Sequence, residues 1–342
     1  MGIGCLGGVL FAVGQITNLS PLMTTSSAPG KIILFGEHAV VYGRPALAVP
    51  VTQVQATATV SENSRGGVWI EAPNINLSSE LSRLAPDHPL GAVVNSVFPA
   101  LGISPHPSPL SRRERGRGEG MTIHITSNIP VASGLGSGAA VSVAIIRALS
   151  EFLDQPLSDE RVSALAYDVE KLHHGTPSGI DNTVITYTKP VYFVKGQPIE
   201  ILRVGQPFTI VIGDTGLSTP TKESVGDVRK QWEADKPALE RLFDGIGEIV
   251  ERAKANIESE KWKALGPLMD ENYTLLRQLN VSSPELDRLV EAARKSGALG
   301  AKLSGGGRGG TMIALVQKEN APVVAEALMS AGAKRTIITR VE

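Results

Sequence analysis

Residues 121–153 constrain the fold most. Ile123 and Ile125 alternate with polar residues over 121–127, the pattern of a half-buried strand, and the chain then enters Ile129-Pro130-Val131-Ala132-Ser133-Gly134-Leu135-Gly136-Ser137-Gly138-Ala139-Ala140. The helix expected from Ser137 to about Leu153 is apolar on nearly all sides (Ala139, Ala140, Val141, Val143, Ile145, Ile146, Leu149), which predicts deep burial. A glycine loop feeding a buried helix places unpaired backbone N–H groups and a partial positive charge at one point, a cradle for phosphate. The Lys-Ser/Thr ending of a Walker loop is missing, and Gly134-Leu135-Gly136 alone is weak evidence for any nucleotide site.

Two further stretches look built for a small anion: Ala28-Pro29-Gly30-Lys31-Ile32-Ile33-Leu34-Phe35-Gly36-Glu37-His38 and Lys302-Leu303-Ser304-Gly305-Gly306-Gly307-Arg308-Gly309-Gly310. Strands are expected at 31–35 and 46–60, helices at 87–102 and from the cap candidate Ser158 to near Gly175, and strands at 191–194 and 199–204. A second region opens with strand 208–212. It continues with helices at about 221–234, 237–257, 261–279 and 284–296, then strand 299–304, strand 311–316, helix 321–332 and strand 335–341. That ending is a β-β-α-β pattern of α+β packing, and 342 residues suit two domains, divided near 205. Domains are therefore expected at 23–205 and 206–342.

Two segments are set apart from the fold. Within residues 1–22, Ile3 to Ile16 is a Gly-interrupted apolar run without a basic flank or the length to span a bilayer, and 1–22 read as an unstructured extension ahead of Met23. Residues 104–120 join a Pro/Ser block to an Arg/Gly/Glu block with nothing to bury, the signature of a mobile insert. A formal net charge of −1 gives no reason to expect nucleic acid or a membrane surface as a partner, so a small molecule is the default ligand. The single Cys5 cannot make an internal disulfide and fits a reducing cytoplasm.

Chemistry concentrates in Glu170-Lys171-Leu172-His173-His174-Gly175-Thr176-Pro177-Ser178-Gly179-Ile180-Asp181-Asn182. Glu170 sits in the last turn of its helix, facing the negative end of the dipole, and needs a metal ion or a lysine to compensate. Pro177-Ser178-Gly179 forces a turn that carries Asp181 away from that helix, as expected of a group that meets a substrate hydroxyl. Adjacent His173 and His174 point different ways on a helix, with no other ligand at zinc spacing, so they are not read as a metal site.

The ordered set Pro-Gly-Lys…Gly-Glu-His, Gly-Leu-Gly-Ser, Pro-Ser-Gly-x-Asp-Asn and Lys-Leu-Ser-Gly-Gly-Gly resembles the GHMP small-molecule kinases. Within that family, Gly36-Glu37-His38-Ala39-Val40-Val41-Tyr42-Gly43 and His174 to Asn182 are similar to members acting on mevalonate. The resemblance covers about Ser26 to the C-terminus, without the 104–120 insert. It implies an N-terminal domain like ribosomal protein S5 domain 2 and a ferredoxin-like C-terminal domain. It also implies ATP-dependent phosphorylation of (R)-mevalonate to 5-phosphomevalonate for isoprenoid synthesis, with Mg2+ as cofactor, in a cytoplasmic enzyme that could be a homodimer. The rival readings are another kinase of the family, acting on a related hydroxy acid, its phosphate or a sugar, and an inactive ligand sensor.

The resemblance also implies roles. Asp181 and Lys31 are catalytic. Glu37, His38, Ser178 and Thr221 lie on the substrate side. Ala132, Ser133, Gly134, Leu135, Gly136, Ser137, Gly138, Ala139, Gly305, Gly306 and, more loosely, Asn74 lie on the nucleotide side. Glu170 is a magnesium ligand. The family's usual Gly-Leu-Gly-Ser-Ser has Gly138 at its second serine here, which leaves Ser137 as the remaining hydroxyl for the metal. Arg308 interrupts a run that the family fills with glycine. Its side chain is expected either to point to solvent or to add a cation near the phosphates.

Overall fold

A computed structural model describes residues 23–103, 120–131, 133–174, 177–217 and 221–342, with His173, His174, Thr221 and Lys222 described by backbone alone. The expectations for 1–22 and for 104–119 lie outside the described residues, as do those for Ala132 and for the side chain of Thr221.

The N-terminal half is a sheet on helices. Strand β1 (Met23–Phe35) runs antiparallel to β2 (Ala46–Asn63). The path then orders β4 (Leu77–Glu80), β3 (Gly67–Ala72), β5 (Gly120–Ser127), β2, β6 (Val191–Phe193) and β7 (Glu200–Ile201). Strands β3 and β5 are parallel and are linked through α1 (Pro89–Ala100). The first half of β1 alternates exposed and half-buried residues, whereas Ala28 to Phe35 is buried throughout, so one strand changes from a sheet edge to core. Helix α2 (Ser137–Phe152) packs across β1 and β2, buried as its composition predicts, between α1 and α3 (Asp159–His174).

Strands β3 and β4 and the helix α4 (Ile180–Tyr187) are not expected from the sequence. The last changes the reading of Asp181. It stands in the first turn of a helix opened by Gly179, where a carboxylate suits the positive end of the dipole.

In the C-terminal half, β8 (Phe208–Asp214) is followed by α5 (Thr221–Ala234), α6 (Lys236–Glu258), α7 (Leu265–Gln278) and α8 (Pro284–Lys295). The expected helix over 261–279 is split, with a 3-10 turn at Trp262–Ala264 ahead of α7. Then come β9 (Gly300–Ser304), β10 (Thr311–Val316), α9 (Ala321–Ser330) and β11 (Arg335–Val341). The antiparallel order β11-β8-β10-β9 places the four strands in ferredoxin-like sequence, fourth, first, third, second. Phe208, Ile210, Ile212 and Ile249 join the same core as β1, β2 and α2, so the two halves bury apolar surface together and the glycine loops meet at their junction.

Candidate active site

Register breaks in β1 between Pro29 and Gly30, and the freed Lys31 amide donates to the Leu135 carbonyl of the middle glycine loop (2.9 Å). Such a bulge re-aims a side chain at the end of a ladder. The Lys31 ammonium lies 3.1 Å from Asp181 Oδ1. Lys31 is buried and Asp181 is 29% exposed, so the carboxylate keeps one side open. Gly136 is held by two requirements: its φ of +75° belongs to glycine, and a Cβ there would sit 2.8 Å from Ile185 Cδ1 and 3.0 Å from Lys31 Cγ. No side chain caps α2. Its first amides are therefore left without a side-chain partner, as an anion cradle requires.

Glu170 reaches the same place from the last turn of α3. Burial, and then the charge of Asp181, push its carboxyl up to about 8, with Lys31 opposing. The Glu170 carboxyl therefore keeps its proton beside Asp181 at neutral pH, and a bound divalent cation would favour its release. Among the described residues no three His, Cys, Asp or Glu side chains form a metal cage. Ser137 heads α2, and Gly138 behind it is exposed. Ser133 is buried with its Oγ donating to the Pro130 carbonyl (2.9 Å), which pins the loop from below.

The third glycine loop lies against the middle one. A Cβ on Gly310 would stand 2.9 Å from the Ser133 carbonyl, and one on Gly305 3.7 Å from Gly134 Cα. Ser304 stitches this region to β1, donating to the Ile33 carbonyl (2.9 Å) and accepting from its amide (3.1 Å). The Arg308 side chain does not simply point into solvent. Its guanidinium pairs with Asp227 on α5 and donates to the Asn280 carbonyl (3.2 Å).

On the other side, Glu37 is fully buried in an ion pair with Lys302 of β9, and its Oε2 has no hydrogen-bond partner. Burial raises its carboxyl above the usual range while Lys302 opposes. Burial likewise lowers His38 to about 4, and the neutral ring meets the Gly306 carbonyl through Nε2 (3.1 Å). A carbonyl only accepts, so the ring proton is assigned to Nε2 and Nδ1 is left bare. Ser178 Oγ accepts from the Ile180 amide (3.3 Å), shaping the turn that delivers Asp181. Asn74 is exposed and takes the Ser127 amide on its Oδ1 (3.0 Å), anchoring its turn to the end of β5.

Sequence reasoning assigned no role to Lys302 or Ser304. A lysine inside an apolar strand was the available signal, since a buried ammonium requires a partner.

Comparison with known proteins agrees with this geometry. Residues 109–189 match the GHMP kinases N terminal domain and residues 236–334 the GHMP kinases C terminal. A protein of Pyrococcus abyssi named mevalonate kinase is 38% identical over 327 residues, covering 94% of this chain and 96% of the relative. One of the same name from Thermococcus sibiricus is 39% identical over 329 residues, covering 92% and 95%. The crystal structure of L. major mevalonate kinase in complex with R-mevalonate superposes with a TM-score of 0.79 at 30% identity, covering 94% of this chain and 97% of that one. With both halves matched and a relative 38% identical over nearly the whole chain, the chain belongs to the GHMP kinases.

Proposed function

We infer that this kinase transfers the γ-phosphoryl group of ATP to the primary hydroxyl of (R)-mevalonate, releasing ADP and 5-phosphomevalonate. The observation that carries the chemistry is the Lys31–Asp181 pair, 3.1 Å apart and open on one side, beneath the uncapped N-terminus of α2. The acceptor is inferred from end-to-end kinship with proteins named for mevalonate.

Phosphoryl transfer asks mainly for positioning and for positive charge where negative charge develops. The amides of 133–139 and of Gly305 and Gly306 cradle the phosphates, with Asn74 on the nucleotide side. Lys31 faces the transferring group and orients Asp181. As the bond from the acceptor oxygen to phosphorus forms and the bond to the ADP oxygen breaks, Asp181 accepts the hydroxyl proton. Glu170 and the Ser137 hydroxyl would hold magnesium, which supplies charge neutralisation on the phosphates. His38, Ser178 and Thr221 flank the acceptor. Glu37 supports them from beneath, because its buried pairing with Lys302 fixes the turn that presents His38. A cytoplasmic setting suits a chain with one cysteine, and no helix among the described residues is long and apolar enough to cross a membrane.

ADP release measured with mevalonate, phosphomevalonate, galactose and homoserine tests this reading, with the product identified by phosphorus NMR. Mevalonate is expected to be the preferred acceptor by at least about a hundredfold in kcat/KM. Preference for another acceptor would overturn the substrate assignment, and activity on none would favour a ligand sensor.

A further inference from the structure

Helix α5 is fastened to the rest of the molecule chiefly by polar bonds. Ser224, Asp227 and Gln231, spaced three and four apart, line one face of it. Ser224 Oγ donates to the Gly306 carbonyl, the acceptor that His38 Nε2 also uses. Gln231 Nε2 donates to the Leu279 carbonyl (3.3 Å), and its Oε1 accepts from Asn280 Nδ2 (3.3 Å). Asp227 gives one carboxylate oxygen to Lys230 of its own helix (2.9 Å) and the other to Arg308. Apolar anchoring is sparse. Val228 is buried, and Trp232 packs half-buried on Tyr42 with ring centroids 5.4 Å apart.

Arg308 is the odd member of this seam. Its φ of +59° is one that glycine adopts without strain and a residue with a side chain rarely does, and glycines flank it on both sides. The backbone there is pinned as well, since the Arg308 amide donates to the Val281 carbonyl (2.8 Å). An arginine kept where glycine is favoured has to contribute through its side chain, and that side chain reaches Asp227 on α5.

We propose that Arg308 is a positioning residue for the acceptor: it fastens α5, whose first turn carries Thr221, to the third glycine loop and so fixes the acceptor-side wall relative to the phosphate-side loop. This rests on the placement of Thr221 and Gly306 under the proposed function. In this role Arg308 acts through α5 and not by contact with a reactant. The pair with Asp227 is partly exposed, so its loss loosens the helix without unfolding the domain.

The test compares Arg308→Gly, Asp227→Asn and the double variant, with Arg308→Lys as the conservative replacement. Hydrogen exchange of 221–234 is read without substrate, and KM for mevalonate and for ATP are read separately. Arg308→Gly is expected to speed α5 exchange and raise KM for mevalonate, each about fivefold, with KM for ATP within about twofold. Its melting temperature should not fall, because glycine relieves the backbone. Asp227→Asn should match it, the double variant should add nothing further, and Arg308→Lys should retain part of the function. Unchanged exchange in Arg308→Gly, additive effects of the two changes, or a rise confined to KM for ATP would each overturn the proposal, the last by making Arg308 a phosphate cation. If the parent enzyme ignores mevalonate, the acceptor reading fails, while the exchange data still decide whether the seam holds α5.

Discussion

Two lysine–carboxylate pairs lie close together in this molecule and are built for different work. Lys31 and Asp181 meet at 3.1 Å with Asp181 29% exposed, whereas Lys302 and Glu37 are both at 0%. Under the proposed function the same two charges serve in one place as a reactive edge and in the other as a seal. An open carboxylate can receive a hydroxyl on its free side. A sealed one is costly to desolvate and is held only because its partner is sealed with it. Its place explains it: Glu37 follows β1 and Lys302 lies on β9, so the pair ties the turn before His38 to the second sheet. Charge type alone does not separate these roles; access to water does.

The sharpest way to break the contrast is to neutralise the open pair. Asp181→Asn should lower turnover by about a thousandfold with ATP affinity within about twofold of the parent, since shape is kept while basicity is lost. Lys31→Met should cost about a hundredfold or more and should also weaken ATP binding, because the ammonium faces the phosphates as well as Asp181. Steady-state kinetics with a direct ATP-binding measurement check both. Turnover within a few-fold of the parent in either purified variant would remove that residue from the reaction.

The sealed pair should answer differently. Lys302→Met leaves a buried carboxylate uncompensated and should lower stability by about 3–5 kcal/mol, while Lys302→Met with Glu37→Met should recover most of it. Chemical denaturation midpoints report the loss, and turnover of the double variant should return to within about tenfold of the parent. The corresponding double change at Lys31 and Asp181 should recover no turnover. A sealed double variant that is stable yet inactive would show that Glu37 itself meets the acceptor, and the distinction between the pairs would fall.

Much of this organisation was legible in the sequence because periodicity and glycine punctuation are local signals. Helix α2, the closing β-β-α-β pattern and the glycine loops could be read from runs of residues, whereas the ferredoxin-like domain was implied by the family resemblance. Helix α4 could not. Its eight residues are too few for a periodic signal, and Pro177-Ser178-Gly179 reads as a turn without revealing the helix beyond it. Strands β3 and β4 are short and gain their partners from elsewhere in the sheet. The partners of Lys302 and Arg308 lie 265 and 81 residues away, distances at which a single sequence carries no pairing signal.

A buried group of another kind extends the comparison to pH. His38 titrates near 4 in the folded protein, below its ordinary 6.5, because burial disfavours the charged ring. Above pH 6.5 the ring is neutral in both folded and unfolded chains and the shift has no effect. As pH falls from 6.5 towards 4 the unfolded chain takes up the proton first, so stability declines by about 2 kcal/mol at pH 5. Urea midpoints at pH 7 and pH 5 should show this loss, and His38→Gln should lack that part of it. An identical pH slope in the variant would place the titration elsewhere.

The smallest expected effect lies at the open end of α2 and concerns the oxygen that Gly138 lacks. Gly138 has ordinary helical backbone inside α2, and a Cβ built on it would meet nothing within 4 Å. A serine there would suffer neither the strain of positive φ nor a collision with another protein atom. Gly138→Ser should therefore keep turnover and, by adding a hydroxyl beside the one on Ser137, lower the magnesium concentration for half-maximal rate by about two- to fivefold. Ser137→Ala should raise that concentration by a similar factor, and the serine at 138 should offset the loss when the two changes are combined. Magnesium titrations of turnover at saturating ATP decide the matter. An unaffected Ser137→Ala alongside a crippled Gly138→Ser would mean that the N-terminus of α2 works through its backbone amides alone, and that the metal is held at this end by Glu170 without a hydroxyl.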